Sequence, residues 1–293
     1  MKPLVSVIVP AYNSSLYIRE SLLSVLAQSE KSLELIVVDD GSTDNQNEII
    51  SELAVKDNRI KLIKQENRGV SAARNHGFKV SSGTYAAFMD ADDVWLPDNL
   101  ALKMAKIQAG RFGLVHSDAA VIDAASKKTG DLLQGEEGSL LNNMLAWRGT
   151  QVPGPSSILI PRETIEKVGL FDENLSTSAD NDFFIRVATV FSIGRVDKIT
   201  WYYRMHAQNM HKNLVRMEHD VLYVFNKARK NNLFYSEKFA RECFGKTYMV
   251  LALSWMGDGR SYRKGLPFLG KAIANDPRLL KELLTKVYKY IRS

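Results

Sequence analysis

Short apolar runs alternate with amphipathic stretches along the first hundred residues, and that alternation leaves few folds open. Leu4–Val9, Leu33–Val38, Ile60–Ile63 and Tyr85–Met89 have the length and composition of buried strands. Tyr17–Gln28, Glu48–Val55, Val70–Val80 and Leu100–Ala109 carry their apolar residues at helical spacing. Strands apolar on both faces and separated by helices belong to a mostly parallel sheet covered on both sides, an α/β fold. Ligands of such sheets lie beyond the carboxyl ends of the strands. Those ends are polar here: Tyr12-Asn13 after the first strand, Asp39-Asp40-Gly41 after the second, Asp90-Ala91-Asp92-Asp93 after the fourth. Three polar strand ends on one sheet edge make a candidate site.

The acidic turn after the fourth strand is the most pointed of these. Three carboxylates within four residues repel one another unless a cation joins them. Oxygen ligands suit Mg²⁺ or Mn²⁺, which take one or two carboxylates together with phosphate oxygens. A solvated turn that caps the helix after Pro97 uses the same residues, since Asp is common in turns for local reasons. At Asp39-Asp40-Gly41-Ser42-Thr43, Gly41 allows a tight turn and Ser42 or Thr43 can cap a helix. Asp40 can accept from a nucleobase or ribose, as acidic residues do in dinucleotide folds. In Asn67-Arg68-Gly69-Val70-Ser71-Ala72-Ala73-Arg74, small residues let a helix approach the sheet closely. Arg74 can reach a diphosphate or pair with the acidic strand ends.

Further along, Asp123–Gly138 reads as a surface loop and Gln151–Ser157 as a shaped loop before a strand at Ile158–Ile160. Asp182–Val190 has helical spacing and Ile193–Tyr203 reads as a strand. Beyond His211 the character changes, and Asn213–Lys230, Phe239–Met256, Tyr262–Ala274 and Arg278–Ile291 read as helices with basic faces, the last two separated by Asn275-Asp276-Pro277. The expected division is a catalytic domain over 1–210 and a helical region over 211–293. From Lys212 onward there are 17 Lys+Arg against 7 Asp+Glu, whereas residues 1–211 hold 22 against 26. The mildly acidic front and basic tail point to an anionic substrate, an anionic membrane surface or simply a solvated helical face. No run of eighteen apolar residues offers a membrane span. Leu4–Val9 is too short for a signal sequence core. The single cysteine, Cys243, forms no internal disulfide, which fits a reducing cytoplasm.

Val9-Pro10-Ala11-Tyr12-Asn13, Asp39-Asp40-Gly41-Ser42-Thr43-Asp44, Asn67-Arg68-Gly69 with Ala73-Arg74-Asn75, and Phe88-Met89-Asp90-Ala91-Asp92-Asp93 together resemble the ordered motif set of family 2 glycosyltransferases. The resemblance is strong over residues 4 to about 100 and weaker to about 210. It implies a GT-A fold and an inverting transfer from a nucleotide-sugar donor, a UDP-sugar first among them. It further implies that Pro10, Ala11, Tyr12 and Asp40 line the nucleobase pocket, that Asp90 lies by the ribose, and that Asp92 ligates Mn²⁺ or Mg²⁺ on the diphosphate. The family's acidic pair before a helix corresponds to Ala179-Asp180. The first acid is missing; Asp180 matches the second, the general base, with Asp182 as rival. In Tyr202-Tyr203-Arg204-Met205-His206, His206 can ligate the metal or a phosphate oxygen and Arg204 can neutralise the leaving group. Ser156 and Ser157 are candidate acceptor contacts.

The resemblance extends to a saccharide or lipid-linked acceptor, to surface polysaccharide synthesis, and to cytoplasmic work, peripheral on the membrane. Leu279–Ile291, with Trp255, Tyr288 and Tyr290, could rest on an anionic leaflet or pack among the helices. A sugar-phosphate nucleotidyltransferase would carry a Gly-rich, Arg-containing loop after the first strand, where Pro10-Ala11-Tyr12-Asn13-Ser14 stands instead. The absence of G-x-G-x-x-G there argues against a dinucleotide oxidoreductase. A binding scaffold without activity would not need Asp40, Asp90, Asp92 and Asp180 together. Nothing here points to nucleic acid.

Overall fold

The computed structural model describes residues 3–207 and 213–281. The chain divides into two compact units, one of residues 1–141 and 149–209, the other of 142–148 and 210–293. The short segment 142–148 therefore groups with the tail, although it lies within the expected catalytic domain.

The first unit is built on one nine-stranded sheet. Its first half is the regular alternation read above: β1 (Val5–Ala11), α1 (Ile18–Leu26), β2 (Leu33–Asp39), α2 (Gln46–Lys56), β3 (Ile60–Lys64), α3 (Val70–Val80) and β4 (Tyr85–Phe88). Strands β3, β2, β1 and β4 lie side by side and are all parallel. The second half is mixed: β5 (Val94–Trp95), α4 (Asn99–Ala109), β6 (Phe112–Ile122), β7 (Lys128–Leu133), α5 (Leu141–Leu145, which from Asn142 on belongs to the other unit), β8 (Leu159–Pro161), α6 (Arg162–Val168), α7 (Ala179–Ala188) and β9 (Ser192–Arg204). The order continues β4-β8-β6-β9-β5, with β7 paired to β6. Strand β8 is antiparallel to both β4 and β6, and β6 and β9 run parallel.

Side-chain alternation splits the sheet's faces. Val5, Val7 and Val9 of β1 and Leu35 and Val37 of β2 join Ile18, Leu22 and Val25 of α1, Ile50 of α2 and Leu100 and Met104 of α4 in the main core. On the other face Ile36 and Val38 pack with Ala73 of α3. There Gly77 leaves no room for a side chain, since a Cβ would sit 2.5 Å from Ile8 Cγ2 and 3.1 Å from Val38 Cγ2. Phe88 meets Phe171 edge-on, and Phe171 stacks on Phe183 of α7.

Two expectations are corrected. Residues 123–138 are not all loop, because β7 forms an antiparallel hairpin with β6. It escaped notice because five of its six residues are exposed and polar enough to show no alternation. Strand β6 was not foreseen either: its buried His116-Ser117-Asp118 interrupts the apolar run. Helix α7 starts at Ala179, three residues before the spacing signals it.

The second unit holds α8 (Leu214–Lys230), α9 (Glu237–Met256) and α10 (Tyr262–Asn275). Asn213 and Ser236 cap the first two through their side chains. Trp147 stacks on Phe225 and donates its indole N–H to Thr247 at 3.0 Å. Most of the expected helix Arg278–Ile291, with Tyr288 and Tyr290, lies outside the described residues. Among the described residues no helix is long and apolar enough to cross a membrane.

Candidate active site

The carboxyl ends of β1, β2 and β4 converge as the parallel arrangement requires, and hydrogen bonds tie their loops together. Asp40 N–H donates to Ala11 O and Met89 N–H to Ile8 O. Asn13, in the left-handed region at φ 49°, accepts the Thr43 N–H at 2.8 Å. Gly41 sits so close to the next loop that a Cβ would be 2.9 Å from Asn67 N. Pro10 and Ala11 are buried at the strand tip, and Tyr12 is half exposed beyond it. The acidic pair divides its work. Asp39 accepts from Ser42 N, Gln46 Nε2 and Asn47 Nδ2; burial raises its pKa, but these bonds outweigh that and hold it below the usual range. Asp40, 3% exposed, accepts from Gln65 Nε2, Arg68 N and Gly69 N. In this structure its carboxylate fixes the 65–69 loop, which leaves little of it to face a nucleobase.

The acidic turn after β4 is held by groups from far along the chain. Asp90 N–H donates to Ser156 Oγ at 3.0 Å, and the Asp90 carboxylate accepts from Arg74 at 2.7 Å. Arg74 is almost fully enclosed, lies over the Phe171 ring, and leaves its buried Nε without a protein acceptor. Asp92 Oδ2 is 2.8 Å from His206 Nε2. Asp93 is buried and accepts from Ser156 Oγ and from Arg204 N. Burial first, and then the charge of neighbouring carboxylates, push Asp92 and Asp93 above the ordinary carboxylate range. Asp180, in the first turn of α7, is also raised by desolvation, while the Arg74 charge opposes the rise. The Tyr203 phenol is raised by burial and by Asp93, Asp90, Asp92 and Asp180 together, which places it beside the whole acidic group.

Several candidate residues from the sequence lie in the interior. Ser156 and Ser157 are completely buried. Ser156 bonds the acidic turn, and Ser157 donates to Gly154 O at 2.6 Å, so neither presents a hydroxyl to an acceptor. Arg204, expected at the diphosphate, has a side chain 1% exposed. Its guanidinium donates to Asp92 O, Ser126 Oγ and Glu20 Oε2, inside the protein. Asp182, the rival base, is 3% exposed and pairs with Arg186 at 2.8 Å, which suits a structural role. Sequence reasoning also passed over Tyr17, whose ring lies 5.0 Å from that of His206, and Glu20. Neither has a signal in the sequence, because both act through a strand nearly two hundred residues away.

The acidic turn suits a divalent ion. A six-coordinate Mg²⁺ or Mn²⁺ with ligand bonds of roughly 2.1 Å sets neighbouring ligand atoms about 3 Å apart. Asp92 Oδ2 and His206 Nε2 already stand at 2.8 Å. Burial and the neighbouring carboxylates disfavour the ionised forms of Asp92 and Asp93, and a cation placed among them would relieve that. Among the described residues no group of three or more His, Cys, Asp or Glu is placed to hold a metal ion.

A parallel sheet edge with an acidic turn, continued by a mixed sheet, defines a glycosyltransferase fold of the GT-A type. The family model for Glycosyl transferase family 2 matches residues 6–168, and the chain belongs to that family. An uncharacterized glycosyltransferase of Nostoc sp. is 32% identical over 216 residues, covering 71% of this chain and 66% of its own. One from Rickettsia felis is 32% identical over 195 residues, 66% of this chain but only 32% of that relative's length. Among solved structures, S. aureus TarS in complex with UDP-GlcNAc has a TM-score of 0.66 at 20% identity, covering 94% of this chain and 81% of that one. The mannosyltransferase PcManGT from Pyrobaculum calidifontis, in complex with GDP-Man and Mn²⁺, has a TM-score of 0.64 at 21% identity, covering 100% and 83%. At these identities the solved structures bear on the fold.

Proposed function

We propose that the chain transfers a sugar from a nucleotide-diphosphosugar to a hydroxyl of a saccharide or lipid-linked acceptor, with inversion, in the making of a surface polysaccharide. The observation that carries this is a cluster of titratable groups about Arg74: Asp90 accepts from its guanidinium at 2.7 Å, Asp92 stands 2.8 Å from His206, and Asp180 feels the Arg74 charge. The nucleotide lies over the β1 and β2 tips, against Pro10, Ala11 and exposed Tyr12, with Asp90 at the ribose and the Asp40-anchored loop as its wall. Asp92 and His206 hold Mn²⁺ or Mg²⁺, which supplies positive charge against the departing diphosphate. Arg74, a permanent cation with an unused buried donor, adds to that field.

Asp180 takes the acceptor proton as the acceptor oxygen bonds to C1 and the C1–O bond to the diphosphate breaks. Its desolvated position makes it a stronger base than a surface Asp, and the Arg74 charge partly offsets that rise. Support for the donor class comes from the UDP-GlcNAc of TarS and the GDP-Man and Mn²⁺ of PcManGT; we take a UDP-sugar as the first to try. The basic helices of the second unit are what supports peripheral contact with an anionic inner membrane face, and we take the work to be cytoplasmic.

A panel of nucleotide sugars tested for Mn²⁺-dependent hydrolysis and transfer decides the matter. Asp92→Asn is expected to lose metal-dependent donor binding. Asp180→Asn is expected to keep donor binding and lose transfer by about 10²–10⁴-fold. Loss of binding in both variants, or in neither, overturns the assignment.

A further inference from the structure

We propose that Glu20 and Arg204 form a brace that sets the geometry of the two metal ligands, Asp92 and His206, from outside the ligand pocket. This rests on the metal site described above. Arg204 is the point where four segments meet. Its Nε donates to the Asp92 carbonyl at 2.7 Å, and its backbone N–H to Asp93 Oδ1 at 3.0 Å. One terminal nitrogen bonds Ser126 Oγ in the β6–β7 turn and the other bonds Glu20 Oε2 in α1, each at 2.7 Å. The guanidinium plane lies 4.7 Å from the Tyr17 ring centroid, and that ring packs on His206.

One side chain therefore governs both ligands. It grips Asp92 by its main chain, so the carboxylate leaves from a fixed peptide. His206 is two residues beyond Arg204 and rests on the ring that Arg204 covers. A guanidinium this enclosed needs a counter-charge. Besides Glu20, the acidic residues Arg204 touches are Asp123, in the turn that holds Ser126, and Asp92 and Asp93 through main-chain bonds. Glu20, 48% exposed in the first turn of α1, supplies that charge from the rim, where the helix dipole also favours it. With Glu20 present, Arg204 binds the carbonyl of Asp92 and leaves the carboxylate to a metal. With Glu20 absent, the guanidinium loses its rim anchor, its hold on the Asp92 carbonyl loosens, and the ligand geometry goes with it. Glu20 and Arg204 are thus positioning residues.

The test is a calorimetric titration of Mn²⁺ into the full chain in the presence of UDP, beside thermal unfolding without metal. Glu20→Ala is expected to raise the apparent Kd for Mn²⁺ about tenfold, the lower end for groups that orient a metal ligand. Metal-free melting should stay at the wild-type value, and Glu20→Asp should recover most of the affinity. Arg204→Lys should lose more, but it sits in the interior and its folding has to be confirmed by circular dichroism; the rim position of Glu20 carries the test. Wild-type Mn²⁺ affinity in Glu20→Ala overturns the brace, as does a fall in melting temperature with no change in metal affinity. If the unmodified chain shows no Mn²⁺-dependent UDP binding, the metal site itself is wrong and the brace goes with it, a result visible without any variant.

Discussion

Arg74 donates to Asp90 and its charge also acts on Asp180, so one cation serves both the carboxylate proposed at the ribose and the one proposed as base. Elsewhere a carboxylate is pinned for stability alone. Glu34, at the far end of the sheet from the site, is 6% exposed and accepts from Ser6, Lys61 and Ser82. Burial raises its pKa, but those bonds outweigh it and hold it at about 2. A folded pKa below the unfolded value of about 4.3 gives stability that is present above that value and is lost as pH falls toward 2. Glu34→Gln should therefore cost about 2 kcal/mol in urea unfolding at pH 7, with the difference from wild type shrinking below pH 4. A constant difference across that range contradicts the ionised network. Residue identity made Asp92 and His206 visible as candidate ligands before any coordinates. It could not tell that Arg204 and Ser156 are interior, because a sequence lists donors without saying which way they face.

At the scale of elements, the first four strands and three helices followed from the alternation of short apolar runs with helical spacing; β3, with Lys61 and Lys64 exposed, is the least apolar of the strands. Legibility failed where polar residues enter the sheet. Strand β6 carries a buried Asp118 paired with Arg195 of β9, and β7 faces outward. Neither shows the pattern that burial normally writes into sequence. The small residues of α3 were correctly legible as a close approach, and Gly77 is where it is closest. Gly77→Ala should destabilise the fold by about 1–3 kcal/mol, because Ile8 and Val38 are β-branched and enclosed and have nowhere to yield. Chemical denaturation reads this directly. An unchanged midpoint would mean that α3 can lift from the sheet freely.

For the whole molecule, the described part of the second unit (213–281) holds 13 Lys+Arg against 6 Asp+Glu, an excess of seven. Contact with an anionic bilayer, as proposed, should appear as co-sedimentation with phosphatidylserine vesicles at low salt. It should disappear at about 0.5 M salt, where screening reaches within a few ångströms, and be absent with neutral vesicles. Binding indifferent to salt would point to apolar insertion instead. The charge excess was legible in composition, but the grouping of 142–148 with this unit was not, because Trp147 meets Phe225 and Thr247 far along the chain.

Asp93 draws its hydrogen bonds from Ser156 and Arg204. During synthesis, then, the stretch with the strongest family signature leaves the ribosome long before its buried carboxylate can be satisfied. The parallel half can collapse early on local strand pairs, yet its most sensitive turn must wait for the ninth strand. Ligand competence should emerge late and abruptly on the growing polypeptide, and nascent chains halted before residue 204 should hold a formed sheet edge that cannot grip a nucleotide.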